Sequence, residues 1–382
     1  MPLPLPMPMR LLALVYVFGV LKVTRGNTLK LDVRLKDVRG FGFGLFHTLV
    51  DENGQKLDVL VDTGSDSFFL IWKHWLEKDG RILCKDWPMG CFECSPPCSV
   101  SNVTRTVTFG GGMTVKTFQH KAKLTVGHLP QNLTFGLVFE WTPRIDPAHP
   151  PANLMGLGYD RGFVNFPSMM TQLRSSRTVS TGIIALYLYP PADPKGESTD
   201  GGLLLGGGDP ELYEGALKYI DFSMDRRYTV NIDKLQVGNG HITSDMNMNA
   251  LLDTGCISLL VPGLYYDNLI KDIEAQTDKA AGEHVDFVYH PERKRWYFPC
   301  RYMTKLPPLQ FYLGPRGTTL FSMRYMHYAK RVPNQSDVCR LIIKKNIKNQ
   351  WIFPDRILID NYFQFDPTLK RVGIGKLKPR SP

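Results

Sequence analysis

The chain has 382 residues, 43% of them hydrophobic and 11% aromatic, with a formal net charge of +10. That composition excludes a disordered chain, and the length exceeds the roughly 250 residues at which single cores stop growing, so two domains are expected. With 34 Gly and 28 Pro beside many strand formers, a β-rich protein with frequent turns is expected.

At the N-terminus, Arg10 precedes the apolar run 11–21, which is followed by the polar KVTRGNT. The run suits a secretory signal and falls short of the ~20 residues of a membrane span, so residues 1–25 are read as a signal peptide and no stable membrane span is expected. Three sequons, at Asn102, Asn132 and Asn334, fit passage through the secretory pathway. The expected location is therefore outside the cell or in the secretory and endolysosomal lumen. Cys84, Cys91, Cys94 and Cys98 lie close together, compatible with two local disulfides or with a four-cysteine zinc site. An oxidising compartment favours the disulfides, in a pairing that spacing alone does not specify.

Further along, FGLFHTLV and KLDVLVDTG alternate as strands around DENGQ, whose Asn53-Gly54 is a hairpin signal. TRTVTFGG, KAKLTVGHL and NLTFGLVF continue the strand pattern, and a short helix is expected after Pro167. The glycine-rich stretch 201–222 reads as the seam between two halves, 26–208 and 209–382. The second half repeats the plan: RYTVNIDKLQVGNG as a strand pair, then ALLDTG, then a helix with Tyr265, Leu269 and Ile273 on one face and Gly282 as its stop. A last hairpin turns at Asp366-Pro367.

The Asp-Thr-Gly triplet thus occurs twice, at 62–64 and 253–255, each time after a mostly apolar run. One copy arises by chance in roughly one chain of this length in ten; two copies, one per half, are much rarer. The plain alternative is a pair of Asp-capped turns. The chemical reading accounts for each letter: a carboxylate, a hydroxyl that locks the loop, and a glycine where a Cβ would clash. Two carboxylates about 3 Å apart repel by ~5 kcal/mol at an effective dielectric of ~20, equivalent to about four pKa units, so only one ionises readily. Such a pair holds one proton, and can deprotonate water while polarising a carbonyl.

Together with NLMGLGYD, the stretch 201–222 and WIFPDRILIDNYFQFDPTLKRVGIG, these motifs resemble the pepsin-like aspartic peptidases from about residue 40 to residue 377. The resemblance implies an all-β, bilobal fold with two pseudo-symmetric barrel-like lobes and a cleft between them. It implies Asp62 and Asp253 as the catalytic pair and Thr63 and Thr254 as cross-linking threonines. Gly64, Ser65, Gly255 and Cys256 would be active-site support, with a Cys300–Cys339 disulfide in the second lobe. A flap is implied at 107–115, placing Phe69, Phe109 and Gly110 against substrate. No metal or organic cofactor is implied, and the expected partner is a peptide or protein in extended conformation, bound by a monomer. The basic residues are dispersed, and runs such as 293–295 and 344–348 carry no known nucleic-acid motif, so no nucleic-acid partner is expected.

The chain departs from the family pattern at four places. Phe69 and Phe109 stand where tryptophan and tyrosine are usual, and Cys256 stands where a Ser or Thr hydroxyl is usual. Pro354 replaces a glycine behind the second aspartate, removing a backbone N–H there. The usual basic inhibitory prosegment is not expected; Lys30, Arg34, Lys36 and Arg39 are either its remnant or strand surface. Two readings follow: an aspartic endopeptidase, or an impaired homologue that grips peptides without cutting them.

Overall fold

A computed structural model describes residues 27–38, 42–80, 82–110, 112–143, 152–192, 198–333 and 335–380. The expected signal peptide, Arg39 and the Asn334 sequon lie outside the described residues. The fold is all-β and bilobal, of the pepsin type. Among the described residues the longest helix is Gly263–Ala281, which ends where Gly282 adopts a left-handed φ of 76°.

Alternation builds the first strand, Leu29–Val38: Leu29, Leu31, Val33 and Leu35 are buried while Lys30, Asp32 and Arg34 face out. The basic residues near the start are thus strand surface where they are described. This strand pairs antiparallel with Gly42–Asp51 on one side and Thr199–Leu205 on the other. Gly42–Asp51 turns through Asn53 and Gly54, with Gly54 at φ 80°, into Lys56–Asp62. Two Asp51 acceptor bonds, from the N–H groups of Asn53 and Gln55, close that turn.

The first aspartate sits at the end of Lys56–Asp62, whose other neighbour is the parallel strand Asn153–Gly156, with Asp62 level with Gly156. The second half repeats the arrangement. Thr229–Val237 pairs with Met248–Leu252, which lies parallel to Trp351–Phe353 with Leu252 level with Phe353. Each aspartate therefore leaves the end of a strand at the point where a parallel neighbour also ends.

The stretch expected as a seam is partly interior. Thr199–Leu205 lies between Leu29–Val38 and Ile184–Leu188. Beyond it, the C-terminal hairpin Asn361–Asp366 and Arg371–Lys376 adds to the same sheet, with Phe363 opposite Leu186. One 13-stranded sheet thus contains strands from both ends of the chain, and one hydrophobic core continues across the two halves. The two active-site strands lie in different sheets, Lys56–Asp62 in this one and Met248–Leu252 in an eight-stranded one, and the continuous core joins them, which a pair of independent domains would lack.

Cys84–Cys91 and Cys94–Cys98 form the two local disulfides, and Cys300–Cys339 bridges the second half as the resemblance implies. Among the described residues no helix is long and apolar enough to cross a membrane.

Candidate active site

Asp62 is 6% exposed, and its Oδ1 accepts the N–H of Gly64 at 2.7 Å. Asp253 repeats this with Gly255, N–H to Oδ1 at 2.9 Å. The threonines between them lock the loops reciprocally. Thr63 Oγ1 donates to the Leu252 carbonyl at 2.7 Å and accepts the Thr254 N–H at 3.0 Å. Thr254 Oγ1 donates to the Val61 carbonyl at 2.7 Å and accepts the Thr63 N–H at 3.1 Å. Both threonines are buried, so each hydroxyl satisfies a donor and an acceptor that would otherwise be stranded.

This lock brings the carboxylates together. A Cβ on Gly255 would lie 2.6 Å from Oδ1 of Asp62 and 3.1 Å from Oδ1 of Asp253, so both acids converge on one point. A Cβ on Gly64 would lie 2.5 Å from Oδ1 of Asp253. Both glycines are required by this close approach. Burial, the charge of Asp62 and a hydrogen bond with Asp62 hold the Asp253 carboxyl well above the usual carboxylate range.

The next residues differ between the loops. Ser65 Oγ donates to Asp62 Oδ2 at 2.7 Å. Cys256 turns its thiol to the Ser258 carbonyl at 3.2 Å, so it supplies no hydrogen bond to Asp253. Burial, then the Asp253 charge, push this free thiol up to about 12, so it stays protonated.

Behind the first loop, the N–H groups of Gly156, Leu157 and Gly158 donate to the carbonyls of Ser67, Asp62 and Ser65, each at 2.7 Å. A Cβ at Gly156 would meet the Ser67 backbone at 2.5 Å. Pro354 occupies the corresponding place behind the second loop and cannot donate. There Asp253 N–H donates to the Phe353 carbonyl at 3.0 Å and Asp355 N–H to the Cys256 carbonyl at 3.1 Å. The proline thus thins the support without removing it.

The flap segment is a hairpin of Thr104–Thr108 and Thr114–Val126. Its turn is closed by Phe109 N–H to the Met113 carbonyl at 2.8 Å. Phe109 meets Phe69 edge to face, ring centroids 6.2 Å apart. Phe69 is only 2% exposed, so it backs Phe109, and Phe109 with exposed Gly110 offers the accessible surface. Cys300–Cys339 is a structural bridge elsewhere in the second half, and Asn102 and Asn132 are exposed.

Two residues escaped sequence reading. Asp66, 3% exposed, pairs with Arg105 at 3.0 Å and accepts the Arg161 N–H at 3.0 Å, tying the base of the flap to the first loop. Only the carboxylate next to Ser65 hinted at this. Asp355 is 1% exposed, and neither carboxyl oxygen has a hydrogen-bond partner among the described residues. Burial, opposed by Arg356, pushes it up to about 7. Its signal was an acid, next to Arg356, set between the apolar residues 351–354 and 357–359. Among the described residues, Cys94, Cys98 and His120 have metal-ligand spacing, but the two sulfurs are joined as a disulfide.

Two Asp-Thr-Gly loops, cross-linked by their threonines and presenting converging carboxyls from a bilobal β fold, define the class of pepsin-like aspartic peptidases. The chain belongs to the eukaryotic aspartyl protease family, whose model matches residues 48–377. It is similar to pepsin A of Gallus gallus, 25% identical over 217 residues, covering 56% of this chain and 50% of that protein. It is similar to cathepsin D of Rattus norvegicus, 28% identical over 231 residues, covering 58% of this chain and 52% of that protein. With cathepsin D of Clupea harengus the identity is 25% over 331 residues, 84% of this chain and 78% of that protein. The chain spans about half the length of the first two relatives.

Proposed function

We propose that the protein is a secreted or lumenal aspartic endopeptidase in which Asp62 and Asp253 share one proton and activate water. The observation that carries this reading is the convergence of both carboxyls on the glycines of the opposing loops. Asp253, whose carboxyl is held protonated into less acidic conditions, donates to the carbonyl oxygen of the scissile amide. Asp62, ionised and steadied by Gly64 and Ser65, removes a proton from the attacking water. The carbon–oxygen bond forms, Asp62 passes the proton it took to the amide nitrogen, and the carbon–nitrogen bond breaks as one hydroxyl of the tetrahedral intermediate returns a proton to Asp253. The product acid and amine leave without a covalent enzyme intermediate.

The substrate is an extended peptide lying between the lobes 26–208 and 209–382. Phe109, backed by Phe69, favours large apolar side chains beside the cut. The apolar run 11–21, the sequons and the disulfides support passage through the secretory pathway. Pro354 favours a second reading, a homologue that binds peptides without hydrolysing them.

The experiment is incubation of purified protein with denatured globin across acidic to neutral pH, with and without a statine-type inhibitor, beside Asp62→Asn. Inhibitable cleavage that vanishes in the variant supports the peptidase. Inhibitor binding without cleavage supports the second reading, and cleavage persisting in Asp62→Asn removes the pair from the mechanism.

A further inference from the structure

The basic runs 293–295 and 344–348, far apart in sequence, meet in space. Arg293 and Lys294 form the turn between Val288–His290 and Arg295–Pro299, and Lys344 and Lys345 lie on Ile343–Asn346. They line one open groove of about 460 Å³, a volume within the range of small-ligand sites, with Tyr266, Tyr289 and Trp296 as further walls.

Cations in this groove outnumber their partners. Its one lining carboxylate, Asp267, is engaged by Lys345 at 3.3 Å. Arg293 reaches the outlying Glu292 at 3.9 Å. Lys294 and Lys344 form no ion pair among the described residues. Behind them, Arg295 and Arg340 stand on paired strands, and Arg295 Nη1 and Arg340 Nε are buried with no hydrogen-bond partner among the described residues. Burial and the charges of Arg295, Arg340 and Lys294 lower the Lys344 pKa, the direction expected of a cation crowded by cations. An ordinary solvated face spreads its charges; this one concentrates them on a concave surface backed by buried guanidinium groups, where a bound anion relieves the repulsion.

The spread of cations along the groove calls for several anionic groups on a short ligand, and Arg with Lys suits tetrahedral oxyanions. Single-stranded nucleic acid needs separate aromatic platforms for its bases. Here Tyr289 and Trp296 pack on each other, centroids 5.1 Å apart, and leave no such pair. We propose that this groove binds a short polyanionic saccharide bearing sulfate or phosphate monoesters, through Arg293, Lys294, Lys344 and Lys345. The proposal is independent of the peptidase reading.

The test is calorimetric titration of the full chain at physiological salt with a sulfated hexasaccharide, its phosphorylated counterpart and its unmodified counterpart. A single-stranded oligonucleotide and an acidic peptide of similar charge complete the set. One or both esterified saccharides should bind and the unmodified sugar should not; the tighter ester identifies the source of the anion. Lys294→Ala and Lys344→Ala should each weaken binding roughly five- to tenfold, whereas Lys30→Ala and Lys123→Ala, on strands of the first half, should not. Arg293 and Lys294 are exposed, so variants there keep the fold and keep the test interpretable if Lys344→Ala unfolds. Absence of binding by either ester, equal or tighter binding of the oligonucleotide or peptide, or indifference to Lys294→Ala and Arg293→Ala would overturn the proposal.

Discussion

Gly64 and Asp253 come from opposite halves of the chain, yet a Cβ on the glycine would lie 2.5 Å from the aspartate's carboxyl carbon. The same glycine donates its N–H to Asp62, so one residue sets the position of both acids. Gly64→Ala must therefore push the carboxyls apart or tilt them. A misplacement of about 1 Å costs about a hundredfold in rate, and kcat should fall by that order with KM little changed. Steady-state kinetics on a peptide with large apolar flanking residues checks this.

Cys256 leaves Asp253 without the hydroxyl donor that Ser65 gives Asp62. A donor to the ionised carboxyl lowers its pKa. Cys256→Thr should therefore draw the alkaline limb of the kcat/KM profile to lower pH, because the proton on Asp253 is lost sooner. An unmoved limb would mean that the thiol has no part in the working range of the pair.

Asp355 links stability to pH. Its folded-state pKa of about 7 lies above the ordinary carboxylate value, chiefly through burial. The folded chain thus keeps a proton that the unfolded chain releases. Its stability is full below about pH 4 and declines as pH rises, by at most about 1.4 kcal/mol per pH unit from this group. Asp355→Asn should remove that slope, so urea unfolding at several pH values should show the variant gaining on the wild type towards neutrality.

Arg105 covers a buried charge. Its partner Asp66 is 3% exposed, and without the guanidinium it keeps, among the described residues, only the Arg161 N–H. Arg105→Met should cost about 3 kcal/mol in denaturant unfolding, and adding Asp66→Asn should recover part of it. The guanidinium also lies 4.0 Å from the Phe163 ring centre, so part of the loss is packing.

Local chemistry made much of this molecule legible. Asn53-Gly54 marked its hairpin, Gly282 ended its helix, and Asp366-Pro367 marked the last turn. The two Asp-Thr-Gly loops announced themselves by an acid at the edge of each apolar run. What escaped depends on distant pairing. Nothing near 361–376 tells that this hairpin adds to Ile184–Leu188, since any edge strand of suitable pattern could receive it. Asp66 is recognisable only with Arg105 beside it, and the depth of Asp355 is set by surrounding elements. The pairing of Cys84 with Cys91 likewise needed the folded loop.

The pH dependence of kcat/KM, measured for wild type beside Asp253→Asn, tests the shared proton most directly. The account predicts a bell with an acidic limb for ionisation of the pair and an alkaline limb for loss of its last proton, and no measurable turnover in the variant. Turnover retained in Asp253→Asn, or a wild-type profile with a single limb, would contradict it.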